Sequence, residues 1–213
     1  MMHKSELLHI APVDFLPFPN PCHKELGRVT LDLAHCRDEI DYWRQLARTD
    51  VVTGLSNRLA FHEDLAEYTA DVEHDTRRRV GVGFIDLDEF KNANDRYGHD
   101  YGDEILKLTA VTLRQSVSQY GMLYRTGGDE FAILFQRVKM LRNDPEGNML
   151  RYATDLEESL SSAYSESSLR RQGLKIGASI AIVRSIVGES SGSILKRADD
   201  AMYKRKRTKT SSQ

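Results

Sequence analysis

An α+β fold with a mainly antiparallel sheet is predicted by three observations. Two β-prone runs, Tyr124-Arg125 and Phe131–Phe135, flank Gly127-Gly128, a tight hairpin signal because glycine tolerates φ > 0 without a Cβ penalty. Two further runs rich in Val and Ile, Val80–Asp86 and Leu174–Val183, read as strands. Helical periodicities separate these strands, so the order is helix, helix, strand, helix, hairpin, helix, strand, helix, which suits a sheet covered by helices.

The chain has 213 residues, enough for one domain with a modest appendage. Its net charge of −2 lacks the basic excess of a general nucleic-acid binder. No apolar run approaches the ~18 residues of a membrane span, and no secretory leader pattern is evident. Two cysteines, Cys22 and Cys36, are too few for a disulfide scaffold, and the reducing cytoplasm is the simplest compartment.

Residues 1–22 carry four prolines between Ala11 and Pro21, so that stretch is expected to be extended. Residues 23–48 read as a helix. Leu26, Val29, Leu33, Cys36, Ile40, Trp43 and Ala47 follow steps of three and four, the spacing of a coiled-coil seam. Dimerisation through this helix is expected. Cys22-His23 and His35-Cys36 do not make a metal site, since neighbours on a helix face apart and Cys36 lies in the seam. Asp50–Arg58 is a break turned by Gly54, with Ser56 or Asn57 capping a helix to about Glu73. Residues 74–79 form a polar loop.

Strand Val80–Asp86 places Val80, Val82, Phe84 and Asp86 on one face. An acid closing an apolar face is out of place unless it is paired or holds a cation. Asp88 repeats the acid two residues later. The polar, glycine-punctuated stretch Phe90–Asp103 leads into a helix from about Asp103 to Val117, with Asp103 as a possible N-cap. Its buried side is Ile105, Leu106, Leu108, Ala110, Val111 and Leu113. After the hairpin come a polar loop Arg137–Gly147, a helix Asn148–Tyr164, the strand Leu174–Val183 and a last helix Ile194–Arg207, then a polar tail 208–213. At the hairpin tip, Asp129 and Glu130 leave unpaired charge at one place, which suits a divalent cation.

Residues 50–206 resemble the GGDEF family of diguanylate cyclases. Asp50…Thr53-Gly54-Leu55…Asn57-Arg58 is similar to the family's opening DxLTGLxNR. Phe84-Ile85-Asp86-Leu87-Asp88-Glu89-Phe90-Lys91…Asn94-Asp95…Gly98-His99…Gly102-Asp103 is similar to its FxDxDxFKxxNDxxGHxxGD block. Gly127-Gly128-Asp129-Glu130-Phe131 is the signature itself, and Ala198-Asp199…Ala201-Met202-Tyr203…Lys206 resembles the closing ADxALYxAK.

The resemblance implies a palm-like fold shared with nucleotidyl cyclases, a catalytic domain over 49–207, and condensation of two GTP to cyclic di-GMP with release of two pyrophosphates. It implies Mg²⁺, or Mn²⁺ in its place, held by Asp86, the Leu87 carbonyl and Asp129, with Glu130 adding charge beside them. Asp129 and Glu130 are the implied catalytic residues. Gly127 and Gly128 would let phosphates lie against the backbone, and Lys206 and Lys91 would neutralise phosphate charge. Asn94, His99 and Asp103, with Phe90 nearby, would form the base pocket. A carboxylate accepts both N1–H and N2–H₂ of guanine, which adenine cannot offer, so Asp103 favours GTP. One GTP per domain requires two facing domains in a homodimer.

Four departures from the pattern stand out: Val52 for Leu, Ala181 for Gly, Arg205 for Ala, and Lys209-Thr210 where the family has Gly-Arg. Arg207 or Lys209 could substitute for the missing phosphate contact. The family's product-inhibition RxxD is replaced by Ser118-Gln119-Tyr120-Gly121, so no such site is expected. The upstream regulator is not legible.

Overall fold

The computed structural model describes residues 21–74, 79–117, 121–136 and 145–210. The proline-containing segment 1–20, the centre of the 74–79 loop and most of the 137–147 loop lie outside the described residues. The chain divides into two units, residues 1–46 and 47–213.

Helix α1, Pro21–Ala47, close to the expected bounds, supplies the described part of the first unit up to Leu46. Val29, Leu33, Ile40 and Trp43, all on the expected seam, expose their side chains. Cys36 is also exposed, and no group of three potential metal ligands occurs among the described residues.

The second unit is built on a five-stranded sheet in the order β1-β3-β4-β2-β5. Its strands are β1 (Ser56–Asn57), β2 (Val80–Asp88), β3 (Met122–Arg125), β4 (Glu130–Gln136) and β5 (Gly177–Arg184). All pairings are antiparallel except β1 with β3. The helices are α2 (Arg58–His74), α3 (Phe90–Tyr97), α4 (His99–Val117), α5 (Pro145–Glu166) and α6 (Ser191–Thr210).

Strand alternation sorts the core onto two faces. Ile85, Leu87, Phe131 and Ile133 join residues of α3, α4 and α5 in one cluster. Val80, Val82, Ala132 and Leu134 meet Phe61 and Leu65 of α2 and Ile194 and Ala198 of α6 in the other. Phe84 packs against this second cluster, so the expected face of β2 is the one that carries Asp86 to its end.

The structure corrects several expected boundaries. Phe90–Tyr97 is helical, because Phe90 and Ala93, three apart, bury one face of an otherwise polar turn. Glu89 reverses the chain from β2 into α3 in a single left-handed residue at φ 63°. Helix α4 starts at His99, so Asp103 lies inside its second turn and is not an N-cap. Val111, expected on its buried side, is exposed. Asn57, not Ser56, caps α2, its Oδ1 accepting from the Ala60 N–H at 3.2 Å. Strand β5 begins at Gly177, not Leu174, and α6 continues to Thr210, into the expected tail, where residues 208–210 contain no helix breaker.

At the outer edge of β5, side chains meet outward-facing backbone groups. Glu157 accepts from the Ile180 N–H at 2.8 Å, Lys209 donates to the Ala178 carbonyl, and Arg197 donates to the Arg184 carbonyl at 2.6 Å. Arg205, the departure from the usual Ala, donates to both oxygens of Glu157. Glu189 holds Arg197 through two further bonds of 2.7 Å.

Candidate active site at the strand ends

Asp86, near the end of β2, stands directly opposite Glu130, the first residue of β4. The Leu87 N–H donates to the Asp129 carbonyl at 3.2 Å. In an extended strand the N–H and C=O of one residue point to the same edge, so the Leu87 carbonyl faces the Asp129 side. The ladder therefore brings Asp86, Leu87, Asp129 and Glu130 to one place.

Burial pushes the Asp86 carboxyl above the ordinary aspartate range, and the neighbouring Asp129 and Asp88 charges push it the same way. Lys206 Nζ opposes the shift from 2.7 Å. Asp88, by contrast, is held by the Ser179 hydroxyl at 2.8 Å and by Lys209 at 3.3 Å. Asp86, Asp129 and the Leu87 carbonyl offer oxygen ligands around a charge-crowded point. Mg²⁺ commonly takes only one or two carboxylates and leaves its other positions to water and phosphate. The residues fit such an ion without a three-carboxylate cage.

The hairpin turn is a four-residue connection, 126–129. The Thr126 and Gly127 N–H groups both donate to the Glu130 carbonyl, at 2.9 and 3.2 Å. Neither Gly127 nor Gly128 takes a positive φ, contrary to the expectation for a tight two-residue turn. A Cβ at Gly127 would lie 2.5 Å from Glu130 Oε2, so a side chain there would push the Glu130 carboxylate aside. A Cβ on Gly128 would meet nothing within 4 Å, so that backbone is open to approach.

Arg125 fixes the turn from behind. It donates to the Gly127 carbonyl at 3.1 Å, to the Gly128 carbonyl at 2.8 Å, and to both oxygens of Asp50 at 3.0 and 3.1 Å. Asp50 also accepts from the Thr53 N–H and hydroxyl. Despite the opposing effect of burial, the Thr53 and Arg125 bonds bring the Asp50 carboxyl below its ordinary range. Sequence reading gave Arg125 no role, although an arginine two residues before Gly-Gly in a β-prone run was a usable signal.

The residues implied for the base pocket lie on α3 and α4. Asn94 Oδ1 is buried and has no hydrogen-bond partner among the described residues. Gly102 lies against it, so closely that a Cβ there would come within 1.8 Å of that oxygen. Asp103 follows Gly102 and is partly exposed, while Lys91 and His99 are exposed. Phe90 is a core residue, 7% exposed. A cavity of about 260 Å³ between α2 and α6 includes Asp86, Glu130 and Lys206, together with Arg58, Asp199 and His62. His62 carried no sequence signal. Of the product-inhibition positions only Gly121 is described.

No helix among the described residues is long and apolar enough to cross a membrane. The family model "Diguanylate cyclase, GGDEF domain" matches residues 47–212. The diguanylate cyclase VdcA of Vibrio cholerae is 31% identical over 193 residues, 88% of this chain and 52% of that protein. The diguanylate cyclase DgcP of Pseudomonas aeruginosa is 32% identical over 176 residues, 82% of this chain and 24% of that protein. This chain thus spans about half or less of these two relatives' length. The crystal structure of the coiled coil and GGDEF domain of DgcB from Caulobacter crescentus, in complex with c-di-GMP, superposes with a TM-score of 0.71 at 28% identity, covering 89% of this chain and 96% of that one. With the signature acids on the strand ends and a family match across most of its length, the chain belongs to the GGDEF family of diguanylate cyclases.

Proposed function

We propose that the chain condenses two GTP molecules into cyclic di-GMP and two pyrophosphates, with one GTP held per protomer. In each of two steps a 3′-oxygen forms a bond to the α-phosphorus of the other nucleotide. The bond to the bridging oxygen breaks, pyrophosphate leaves, and the 3′-hydroxyl proton is lost. The observation that best supports this reading is the juxtaposition of Asp86 and the Leu87 carbonyl with Asp129 and Glu130. Asp86, the Leu87 carbonyl and Asp129 would hold Mg²⁺, or Mn²⁺. When bound, that ion supplies charge neutralisation at the phosphates.

The chain's own groups do the rest. Asp103 and Asn94 orient guanine through its donor edge. Asp129 and Glu130 hold negative charge beside the attacking hydroxyl and can accept its proton. The open backbone at Gly128 lets phosphate approach closely. Lys91 and Lys206 would neutralise phosphate charge, and Asp86, here paired with Lys206, would be one of the carboxylates holding the ion. Arg207 or Lys209, the latter paired with Asp88, would substitute for the family's phosphate-binding arginine, whose position Thr210 holds.

Two active sites must face each other, and α1 supplies the means. Its exposed seam at Val29, Leu33, Ile40 and Trp43 suits a coiled coil that raises the local concentration of the second domain. The DgcB structure, which comprises a coiled coil and a GGDEF domain, overlaps this chain over most of its length. A GTP-using enzyme belongs in the cytoplasm.

A second reading is a GGDEF module that binds GTP or cyclic di-GMP without turnover. It is favoured by the Lys206–Asp86 ion pair, which engages a carboxylate oxygen that a metal would need. The test is incubation of the full chain with GTP and Mg²⁺, with Asp129→Ala as control. Cyclic di-GMP from the parent and none from the variant is the expected result. Nucleotide binding without product at high protein concentration would establish the second reading.

A further inference from the structure

A second cavity, of about 560 Å³, lies between the start of α4, the end of α5 and the connection leading to β5. Its volume falls in the ~300–1,000 Å³ range of small-molecule sites. Arg170, Arg171, Lys175, Gln172, Ser165 and Tyr101 are among its walls, and no carboxylate is among the described residues that line it. Arg170, Arg171 and Lys175 all stand exposed at its rim. Three cations around one cavity repel one another, and an oxyanion relieves that repulsion.

Of these cations Arg171 is set on a fixed frame. The Arg171 guanidinium lies over the Tyr101 ring, 5.0 Å from its centroid. Its Nη1 donates to the carbonyls of Ser168 at 2.9 Å and Arg170 at 3.1 Å. The Tyr101 hydroxyl donates to the Leu169 carbonyl, tying the connection to α4. Those bonds use one nitrogen of the guanidinium and leave the Nε–Nη2 edge, which is the geometry of bidentate phosphate recognition. With the Tyr101 face already covered by Arg171, recognition rests on charge and not on ring stacking.

We propose that this cavity binds a phosphate-bearing small molecule of about nucleotide size, separately from the strand-end site. Occupancy would bear on Tyr101, the residue before Gly102, and so on the helix end that packs against Asn94. The binding claim does not depend on the cyclase reading, because its test needs no turnover.

The test is a ¹⁵N-NMR titration of the full chain in EDTA, with inorganic phosphate and, separately, with AMP as probes. Saturating shifts at the amides of 169–176 and Tyr101 are expected. Arg171→Glu with Lys175→Glu should weaken them by at least ~10-fold, while Asp129→Ala leaves them unchanged. Arg171→Gln with Lys175→Gln serves if the charge reversals disturb the fold. Tighter binding of AMP than of phosphate identifies a nucleotide ligand, and equal binding identifies the phosphate group alone. Absence of saturation at millimolar probe, or shifts that survive in the double variant, overturns the proposal.

Discussion

Replacing Arg125 with alanine removes four hydrogen bonds at once, two to Asp50 and two to the carbonyls of Gly127 and Gly128. The Arg125 and Asp50 side chains are only 12% and 19% exposed, so the variant strands a carboxylate that water reaches poorly. Breaking a buried pair from one side costs ~3–5 kcal/mol, and the residual exposure of Asp50, with its Thr53 bonds intact, argues for the lower end, about 3 kcal/mol. For a domain of this size that lowers Tm by roughly 6–12 °C. Arg125→Lys should restore part of the stability, because an ammonium can still pair with Asp50 but cannot fork to both carbonyls. Urea unfolding gives the free energies, and cyclic di-GMP formation at a temperature where all variants are folded gives the effect on the turn. A loss of activity in the lysine variant larger than its loss of stability is expected, since the two peptide planes of the signature are then unheld. An alanine variant within ~0.5 kcal/mol of the parent, with unaltered turnover, would refute the reasoning.

Gly102→Ala should raise the KM for GTP and cost ~1–3 kcal/mol, because the new methyl displaces Asn94; calorimetric GTP binding and urea unfolding check both. Glu189→Gln should destabilise the domain by about 2 kcal/mol at neutral pH. Arg197 is the largest cause holding the Glu189 carboxyl below its ordinary range. The stability from that pair is therefore present above the unfolded pKa of ~4.3 and lost as pH falls through the lower folded value, so the two proteins should converge in acid. Leu33→Pro should yield monomers in sedimentation and lower activity at low protein concentration; normal turnover by a monodisperse monomer would sink the dimer mechanism. Cyclic di-GMP should not inhibit with submicromolar affinity in a manner abolished by changes at 118–121, as enzyme assays with added product would reveal.

The elements legible in the sequence were those with strong periodicity. Strands β2 and β4 and helix α5 carry regular apolar spacing, though Leu150 of α5 is exposed, and the faces of β2 followed from its two-residue period. Helix α3 was hidden because Asn92, Asn94 and Asp95 have weak helix propensity, and only burial of Phe90 and Ala93 holds it. Strand β1 is two residues long and exists through its pairing with β3, which no local pattern encodes. The signature acids were readable from their positions at strand ends. The contacts of Lys206 with Asp86 and of Arg125 with Asp50 were not, because each joins segments 75 or more residues apart.

Strand β5 ends one side of the sheet, and a free strand edge is a template on which a second copy can add its own. The reaction proposed above requires two domains to meet at their strand ends, so edge-on pairing would tie up protein in unproductive assemblies. Lys209, Glu157 and Arg197 occupy outward backbone groups at Ala178, Ile180 and Arg184, alternate residues along that edge. On the far side, β1 is too short to template anything. The same salt-bridged side chains that stiffen the domain thus leave fewer outward groups for a second copy to pair with, and under the proposed reaction the strand-end face is the one that must meet a partner.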